Sequence, residues 1–443
     1  MSSIPSDGRL ESSWALARDP YRFISRTCDR LGVDVFTTRL LLRRTICMRG
    51  ADAARVFYDP AKFTQRHAAP RRMQQTLFGR DGVQSLDGDA HRARKAIFMR
   101  LLSPAPLERL LRISREEWEA TIARWSGTPA GGDASATTHC LLSDTQQLLC
   151  RAVCRWAGVP LDASDVARRT ADFAALIEAP AALGTRYIRG RVARRRSNAW
   201  AQALIAEVRR GELTPAPGTA LHEFATCRDA RGRRLPSRIA AVELLNVLRP
   251  TVAVAVYVVH VAIALHDHPE CRKRLQAGDP DYRLAFVQEV RRCAPFFPFT
   301  AARVRRTFQW HGYQFARGTR VLLDLWGTGH EASHWPEPHR FDPARFEGHA
   351  PDTFELIPQG GGDPLANHRC AGEWITIALM EQATDVLTRW IDYEVPAQSV
   401  RPDLARPPAM PPTGFLMANV RTRTRAPLTG SRGPAISRSW SMQ

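Results

Sequence analysis

One long apolar stretch, SRIAAVELLNVLRPTVAVAVYVVHVAIALHDHPE, constrains the fold more than any other part of the chain. It reads as a single helix that begins near Ser237, a residue suited to the N-cap position after Pro236. Apolar residues fall on nearly every side of this helix, so we expect it to run through the protein interior. The fold should therefore be a large domain arranged around one central helix.

Helical patterns continue on both sides of this segment, and strand-like runs lie near both ends of the chain. Helices are predicted over most of the stretch from Pro104 to about Ala264, and again in LAFVQEVRRCAP, which Pro295 ends. Strands are predicted in VDVFTTRLLLRRTICMRG and in ARVRRTFQWHGYQFARGTRVLLDLW. The expected fold class is mainly α, a large single domain over residues 1–420 with small β-sheets (α+β). A basic tail, predicted to be disordered, follows at residues 421–443.

Composition and charge narrow the class of protein. The net charge is +19, but only Lys62, Lys95 and Lys273 are lysines, and the dispersed arginines form no nucleic-acid-binding stripe. The run RGRVARRR, residues 189–196, is predicted to be solvated surface or disorder that at most attracts anionic partners. The N-terminal segment has no apolar run, which predicts neither a signal peptide nor a membrane anchor. Nine cysteines without a CxxC pair predict reduced thiols and a cytoplasmic location.

A glycine-rich loop leads into a single cysteine in FELIPQGGGDPLANHRCAGEW, residues 354–374. Cys370 follows Gly360–Gly362 and precedes a helical pattern. Backbone N–H groups and the helix dipole at such a position favour thiolate, which in a dry pocket is a suitable axial ligand for haem iron. A buried cysteine acting only as a small hydrophobe, beside a flexible glycine turn, would give the same pattern. A phosphate cradle is disfavoured because no Lys-Ser/Thr pair follows the glycines.

Arg249 and Pro250 interrupt the long apolar helix. Proline inside a helix costs about 3 kcal/mol, and an arginine in an apolar helix must meet an anion or reach water. Taken alone, the pair is explained most simply by a kinked helix whose arginine extends to solvent. Beside a haem loop, the same arginine becomes a receptor for a carboxylate, which a guanidinium holds through two parallel hydrogen bonds.

Two further groups of charged residues accompany these features. Glu289 and Arg292 lie three apart on one helix face, and with Arg345 of FDPARF they suggest a buried Glu–Arg–Arg network. His91 and Lys95 lie four apart, so they share a helix face from which both could reach haem propionates. Ordinary ion pairs and basic residues on the surface would also explain these patterns.

The order of these parts along the chain resembles that of the cytochrome P-450 superfamily. The buried helix, ExxR, FDPARF and the glycine-loop cysteine follow in that order, and LLNVLRP, FVQEVRR, LLDLWGT, IPQGGG and HRCAGE are the most specific segments. In detail the chain resembles the bacterial fatty-acid peroxygenases, which include fatty-acid α- and β-hydroxylases and alkene-forming decarboxylases. The resemblance extends from about Ile4 to Val420.

The resemblance implies a helical-prism fold, haem b as the cofactor, and a role for each matching residue. Cys370 would be the axial thiolate, Arg249 would bind the fatty-acid carboxylate, and Pro250 would shape the helix over the haem. The other implied roles are propionate binding by Arg66, His91, Lys95 and His368, a distal pocket with Phe78 and Gln84, an alkyl channel with Phe173 and Phe299, and the structural network of Glu289, Arg292 and Arg345.

Two departures from most of the superfamily fit this branch. Arg249-Pro250 fills the region where most members carry an acid–alcohol pair for dioxygen activation, and His368 stands where most have arginine. Hydrogen peroxide already carries the required oxidation level, so no reductase partner is expected. A long-chain fatty acid held by Arg249 would supply the missing acid–base group and be hydroxylated at its α or β carbon.

Three alternatives remain open. Oxidative decarboxylation to a terminal alkene is disfavoured because Gln84 stands where that activity is associated with histidine. A reductase-dependent monooxygenase is disfavoured by Arg249-Pro250. A haem-binding sensor without turnover would give no peroxide-dependent product with any fatty acid.

Overall fold

The computed structural model of the protein describes residues 3–127, 138–229 and 231–423. Most of these residues are helical, and small sheets accompany them, so the predicted fold class is confirmed. The α-helices of the described ranges are α1 Ser13–Arg18, α2 Phe23–Leu31, α3 Ala51–Phe57, α4 Arg71–Met73, α5 Gly88–Leu101, α6 Pro104–Ser126, α7 Leu141–Ala157, α8 Val166–Glu178, α9 Gly184–Arg210, α10 Ala220–Thr226, α11 Ser237–Asp267, α12 Pro269–Gln276, α13 Pro280–Cys293, α14 Leu325–Thr328 and α15 Glu373–Asp385. Single π-helical turns cover Gln74–Phe78 and Val386–Trp390, and 3-10 turns cover Val83–Ser85, Ala163–Asp165, Ala179–Ala181 and Pro343–Phe346.

The strands bring the N-terminal part of the chain next to residues that lie far along the sequence. They are β1 Val35–Leu40, β2 Arg43–Met48, β3 Phe63–Thr64, β4 Thr138–Cys140, β5 Phe299–Val304, β6 Phe308–Trp310, β7 Tyr313–Phe315, β8 Arg320–Asp324, β9 Ile391–Glu394 and β10 Leu416–Thr422. The largest sheet has the order β1-β2-β8-β5-β3, in which only the β2–β8 pair is parallel. A second sheet has the order β4-β10-β9, and β6 and β7 form a hairpin.

Helix α11 is the central helix that the sequence predicts. It packs against α7, α8, α9, α13 and α15, and its apolar side chains form the middle of the main hydrophobic core. The helix is long and apolar enough to cross a membrane, but 89% of its most apolar window is buried inside the protein. It therefore belongs to the core. Its N-cap residue is Pro236 and not Ser237, whose hydroxyl instead accepts a hydrogen bond from Gln202.

Helix α13 begins earlier than its apolar pattern predicts. Asp279 accepts hydrogen bonds from the N–H groups of Asp281 and Tyr282, and Pro280 occupies the first turn, so the helix gains a capped N-terminus before its apolar residues begin. The helix ends at Cys293, two residues before Pro295, as the sequence predicts. This helix carries the ExxR residues towards the cysteine loop.

The folded domain extends beyond residue 420. Strand β10 continues to Thr422, and Arg423 donates from its backbone to the Trp390 carbonyl over 2.8 Å and from its side chain to the Thr388 carbonyl over 2.7 Å. Residues 421 and 422 therefore belong to the sheet, and Arg423 is hydrogen-bonded to the residues that precede β9, so these three residues are not part of the predicted tail. The remainder of that tail, residues 424–443, lies outside the described residues.

Candidate active site

Cys370 lies at the end of the glycine loop, immediately before helix α15. Its N–H donates to the Gln359 carbonyl over 2.9 Å, and Gly372 is the N-cap of the helix. At Gly360 the φ angle is +96°, and a Cβ there would lie 3.2 Å from the Arg369 Cα, so the tight loop requires glycine. Burial raises the pKa of the Cys370 thiol, and hydrogen bonding by the Gly372 N–H opposes this shift. The predicted N–H donor is present, but in the protein alone the effect of burial on the Cys370 pKa is larger than the effect of this donor. A metal ion coordinated by the sulfur would deprotonate the thiol.

A buried ion-pair group that the sequence reasoning missed fixes this loop. Arg291 on α13 pairs with Glu373 over 2.5 Å and donates to Gln359 over 3.1 Å. Arg369 pairs with the other carboxylate oxygen of Glu373 over 2.6 Å. Because Gln359 also accepts from the backbone of Cys370, these contacts connect the cysteine to α13. The signal in the sequence was Arg291, the first arginine of QEVRR, which points in a different direction from the helix than Arg292 does.

The structure brings together Glu289, Arg292 and Arg345, for which a structural network was predicted. Arg292 donates to both carboxylate oxygens of Glu289 over 2.6 and 2.7 Å, and the Arg345 Nε lies 3.7 Å from the same carboxylate. The Arg292 guanidinium also donates to the carbonyl oxygens of Gly329, Pro338 and Arg340. Since Glu289 is fully buried, the pair anchors α13 to the irregular segment that precedes the cysteine loop.

His91, Lys95 and His368 form a basic group beside the cysteine loop. His91 and Lys95 are buried on α5, and the rings of His91 and His368 are 4.0 Å apart. The Lys95 ammonium donates to the carbonyl oxygens of Asn367 and Arg369. Burial lowers the pKa of Lys95 to about 8 and that of His91 to about 3. An anion bound here would gain charge-assisted hydrogen bonds from groups that are already fixed in position.

Asp87 organises this group, and nothing in the sequence pointed to it beyond its place near His91. Its carboxylate lies 3.6 Å from His368 Nε2 and 2.9 Å from Arg305. Burial acts to raise the pKa of Asp87, but hydrogen bonds from His368 and Thr64 hold it below its usual value. Arg66, predicted to bind a propionate, is exposed, and its backbone N–H donates to Thr64.

Arg249 projects from the core helix without a partner for part of its guanidinium. It is only 5% exposed, and its Nη1 atom has no hydrogen-bond partner among the described residues. Burial lowers the pKa of Arg249 to about 9, and the positive charge of Arg194 adds to this effect. Helix α11 continues through Pro250, which has no N–H to donate to the Asn246 carbonyl. The arginine therefore does not extend to solvent, and it remains a buried cation that requires an anion.

A second buried network, also missed at the sequence level, holds Gln84. Asn246 donates to Gln84 Oε1 over 3.2 Å and to Glu243 Oε2 over 3.1 Å, and Arg94 donates to Glu243 Oε1 over 2.5 Å. Burial raises the pKa of Glu243, which the Arg94 charge opposes. Asn246 and Arg249 lie three apart on α11, so they share the face that Gln84 meets.

The arginine run at residues 189–196 is not simply solvated surface, as the sequence suggested. It lies within α9, and Arg194 is buried, with Nη1 donating to the Leu77 carbonyl over 3.2 Å. Helix periodicity turns Arg194 inward, whereas its neighbour Arg195 is exposed. Phe78, predicted to face the distal pocket, ends the π-helical turn beside this contact and is half-buried.

The two phenylalanines predicted to line an alkyl channel lie in different parts of the molecule. Phe173 is fully buried on α8 in the main core, with its ring 6.3 Å from that of Trp200. Phe299 begins β5 and packs on a separate hydrophobic cluster that contains Phe23 and Phe36. The structure therefore does not bring Phe173 and Phe299 together, and their predicted role stays a prediction.

The residues present fit haem b. Cys370 offers a soft sulfur donor from a rigid loop, and Lys95 has a third ammonium donor left for a propionate after its two carbonyl contacts. Three buried polar atoms on α11 have no hydrogen-bond partner within the part of the chain that the structure describes: Arg249 Nη1, Asn246 Oδ1 and the Tyr257 hydroxyl oxygen. Within the described ranges, no group of three His, Cys, Asp or Glu side chains could hold a metal ion. A macrocycle that brings its own four nitrogens to the iron suits a protein that supplies one thiolate.

Comparisons with solved structures give matches over nearly the whole chain. Cytochrome P-450EX alpha with myristic acid is 41% identical, with a TM-score of 0.91, covering 96% of this chain and 100% of that one. Cytochrome P-450SP alpha in complex with (R)-ibuprophen is 43% identical, with a TM-score of 0.89, over 93% and 99%. A variant of cytochrome P-450 OleT in complex with arachidonic acid is 32% identical, with a TM-score of 0.91, over 96% and 99%.

Sequence relatives outside this group match a shorter region. A family profile described as Cytochrome P-450 matches residues 281–416, which contain α13, the cysteine loop and α15. Cytochrome P-450 71A8 of Mentha piperita is 29% identical over 165 residues, which is 32% of this chain and 32% of that protein. The chain thus aligns with only about a third of that relative's length, whereas the solved structures are covered almost completely. The chain belongs to the cytochrome P-450 family, in its fatty-acid peroxygenase branch.

Proposed function

We propose that the protein is a haem-thiolate peroxygenase that uses hydrogen peroxide to hydroxylate long-chain fatty acids at the α or β carbon, without a reductase. In the overall reaction, a C–H bond of the fatty acid and hydrogen peroxide are converted into an alcohol and water. Haem b, when bound by Cys370 and the basic group of His91, Lys95 and His368, supplies the redox chemistry that inserts the oxygen atom. Neighbours in the same branch contain myristic acid, arachidonic acid and ibuprofen, each a carboxylic acid.

The observation that carries this proposal is the buried, incompletely bonded guanidinium of Arg249. A carboxylate is the complementary ligand, because two parallel hydrogen bonds satisfy the guanidinium and its charge is neutralised in a dry site. A monocarboxylate bound there is fixed at its head, so the carbons next to the carboxyl group are the ones presented for reaction. Hydroxylation near the tail of the chain is disfavoured by this arrangement.

The bound carboxylate also serves as the acid–base group. On the helix face near Arg249 the described side chains include Asn246 and Gln84, whose amides neither gain nor lose a proton near neutral pH. A substrate carboxylate beside hydrogen peroxide accepts a proton from one peroxide oxygen and returns it to the oxygen that departs as water. Arg249 lowers the basicity of that carboxylate only moderately, and it fixes the position of the proton-carrying oxygen.

Oxidative decarboxylation to a terminal alkene is the second candidate. The observation that favours it is the likeness to cytochrome P-450 OleT, which covers 96% of the chain. The sequence identity to OleT is 32%, however, which is lower than the 41% and 43% identity to the other two neighbours. Gln84 has no group that can transfer a proton near neutral pH, and we therefore assign hydroxylation as the main outcome.

The test is incubation of purified, haem-loaded protein with myristate and hydrogen peroxide in the absence of any reductase, with products identified by mass spectrometry. We expect mainly 2- or 3-hydroxymyristate. Products that require a reductase and NAD(P)H would replace the peroxygenase assignment with a monooxygenase. The absence of product under both conditions, with haem bound, would indicate a sensor or carrier.

A further inference from the structure

Arg194 is a second buried guanidinium that the reaction above does not use. It is 3% exposed, and its Nε and Nη2 atoms have no hydrogen-bond partner among the described residues. Its one hydrogen bond, from Nη1 to the Leu77 carbonyl, leaves most of its five donors unsatisfied. A buried guanidinium in this state is costly unless an anion completes it.

The position of Arg194 places it along the same face of α11 as Arg249. A Cβ at Gly79 would collide with both Arg194 Nη2 and Val242, so the guanidinium packs beside the α11 turn that contains Val242. Val242, Asn246 and Arg249 are spaced by four and three residues and therefore lie on one helix face. Seven residues of α-helix span roughly 10 Å. Phe78, the predicted pocket residue, follows Leu77, whose carbonyl oxygen accepts the hydrogen bond from Arg194. It precedes Gly79, whose backbone borders the Arg194 guanidinium.

The charges around this face do not balance. Arg94, Arg194 and Arg249 carry three positive charges, and Glu243 carries one negative charge that Arg94 and Asn246 already engage. Burial lowers the pKa of Arg194 to about 10, with the Glu243 charge opposing the shift, so the guanidinium stays charged at neutral pH. One carboxylate at Arg249 compensates one positive charge, and a positive charge at Arg194 remains. The unpartnered Oδ1 atom of Asn246 is an acceptor and cannot supply the anion.

We propose that Arg194 is a second carboxylate receptor, which allows the site to bind dicarboxylic acids of matching length with one carboxylate on Arg249 and the other on Arg194. This inference rests on the proposed function, because it takes Arg249 as the receptor for the first carboxylate. A monocarboxylic acid of the same length leaves Arg194 unsatisfied, so the second carboxylate should add affinity, whereas an apolar channel end would reject it.

The test compares dissociation constants of monocarboxylic and dicarboxylic acids at matched chain length, measured by isothermal titration calorimetry on haem-loaded protein. A series from hexanoic and hexanedioic acid to hexadecanoic and hexadecanedioic acid brackets the separation of roughly 10 Å along the helix and finds the length that spans the two arginines. At that length the wild-type protein should bind the diacid more tightly than the monoacid, and a wild-type preference for the monoacid at every length would overturn the proposal. Arg194→Met should weaken diacid binding about tenfold or more and leave monoacid binding within about twofold.

Three further variants distinguish a loss of the Arg194 charge from a loss of folding, and distinguish binding at Arg194 from binding at Arg249. Arg195→Met, an exposed neighbour on α9, should change neither dissociation constant. Arg194→Lys keeps the charge and should retain part of the diacid preference, which a loss of folding would not allow. Arg249→Met should weaken the binding of both the monocarboxylic and the dicarboxylic acid. If Arg249→Met leaves monoacid binding unchanged while Arg194→Met still weakens diacid binding, the proposed function fails, and Arg194 remains a carboxylate receptor that does not act together with Arg249.

Three further results would overturn the second receptor. The first is a diacid preference that survives in Arg194→Met. The second is an equal loss of affinity for the monoacid and the diacid in that variant, which would indicate that Arg194 has only a structural role. The third is a diacid preference that disappears as chloride is titrated at constant ionic strength, since Arg194 would then hold a small inorganic anion.

Discussion

Asn246 fixes the side chain of Gln84, because its Nδ2 atom donates to Gln84 Oε1 over 3.2 Å while the same amide is held by Glu243. A histidine at position 84 would accept the Asn246 hydrogen bond at one ring nitrogen and present its other N–H towards the pocket. We therefore expect Gln84→His to raise the fraction of terminal alkene, measured by gas chromatography of myristate products. Gln84→Leu is the control for lost hydrogen bonding, and an equal alkene fraction in both variants would contradict a role for the ring.

Replacement of Cys370 should remove the spectroscopic signature of thiolate ligation. The reduced, carbon-monoxide-bound protein should show the red-shifted Soret band of a haem thiolate, and Cys370→Ala should lose it. Cys140, which is half-buried on β4, provides the matched control, and Cys140→Ala should keep the band. Loss of the band in the control variant alone would show that the ligand assignment is wrong.

Arg249→Met should abolish peroxide-driven fatty-acid oxidation while haem remains bound. Losing one partner of a desolvated charge pair costs about 2–5 kcal/mol, so kcat/KM should fall by about thirtyfold or more. Arg238→Met changes an exposed arginine on the same helix, paired with Asp81 at the surface, and should leave turnover unchanged.

The same mechanism predicts chemical rescue in the wild-type protein. A short carboxylic acid that fits beside Arg249 should restore oxidation of a substrate that has no carboxyl group, because the added acid supplies the missing proton carrier. Turnover of the non-carboxylate substrate should rise with the concentration of added acid and saturate. No response to any short acid, together with full fatty-acid turnover by Arg249→Met, would rule out substrate assistance.

Arg291→Met should destabilise the protein far more than removal of a surface arginine. Arg291 is 1% exposed, and its loss leaves the Glu373 carboxylate buried with only Arg369 as an ionic partner among the described contacts. Breaking a buried pair costs about 3–5 kcal/mol. The matched control is Arg340→Met, whose partner Glu337 is exposed and whose loss should cost about 0–1 kcal/mol. Urea unfolding of the two variants tests the difference, and equal midpoints would contradict it.

Asp324 should make stability depend on pH. It is 1% exposed at the end of β8, and burial raises its pKa to about 7 despite hydrogen bonds from Ser25 and the Gly327 N–H. The folded state therefore holds a proton that the unfolded state releases near pH 4. The contribution to stability is complete below about pH 4 and is lost as pH rises through about 7. Asp324→Asn should flatten the unfolding free energy over this range, and an unchanged slope would contradict the raised pKa.

Local spacing made part of this structure predictable. Apolar residues on nearly every side of α11 predicted its interior position, and the three-residue spacing of Glu289 and Arg292 placed both on one face of α13, where they form a buried pair. Strands β1, β2, β5 and β8 were likewise apparent as short runs of β-branched and apolar residues. In each case the prediction depends only on the spacing of residues within a single helix or strand.

Contacts between distant elements were not predictable in this way. His91 and His368 meet although 277 residues separate them, and Asp87 joins them only through the fold. The sequence analysis predicts a surface position for Arg194 because five of the eight residues at 189–196 are arginines, and the helical period alone does not say which of them faces Leu77. The Arg94–Glu243–Asn246–Gln84 network likewise depends on three separate segments.

The consecutive arginines of α13 define the register of the cysteine loop. Arg291 engages Glu373 and Gln359, whereas Arg292 engages Glu289 and the carbonyl oxygens of Gly329 and Pro338. One inserted residue in this helix would rotate everything beyond it by about 100°, and both sets of contacts would be lost together. Chimeras with other members of the family should therefore keep α13 and the loop from a single parent, and exchange segments before Pro280 instead.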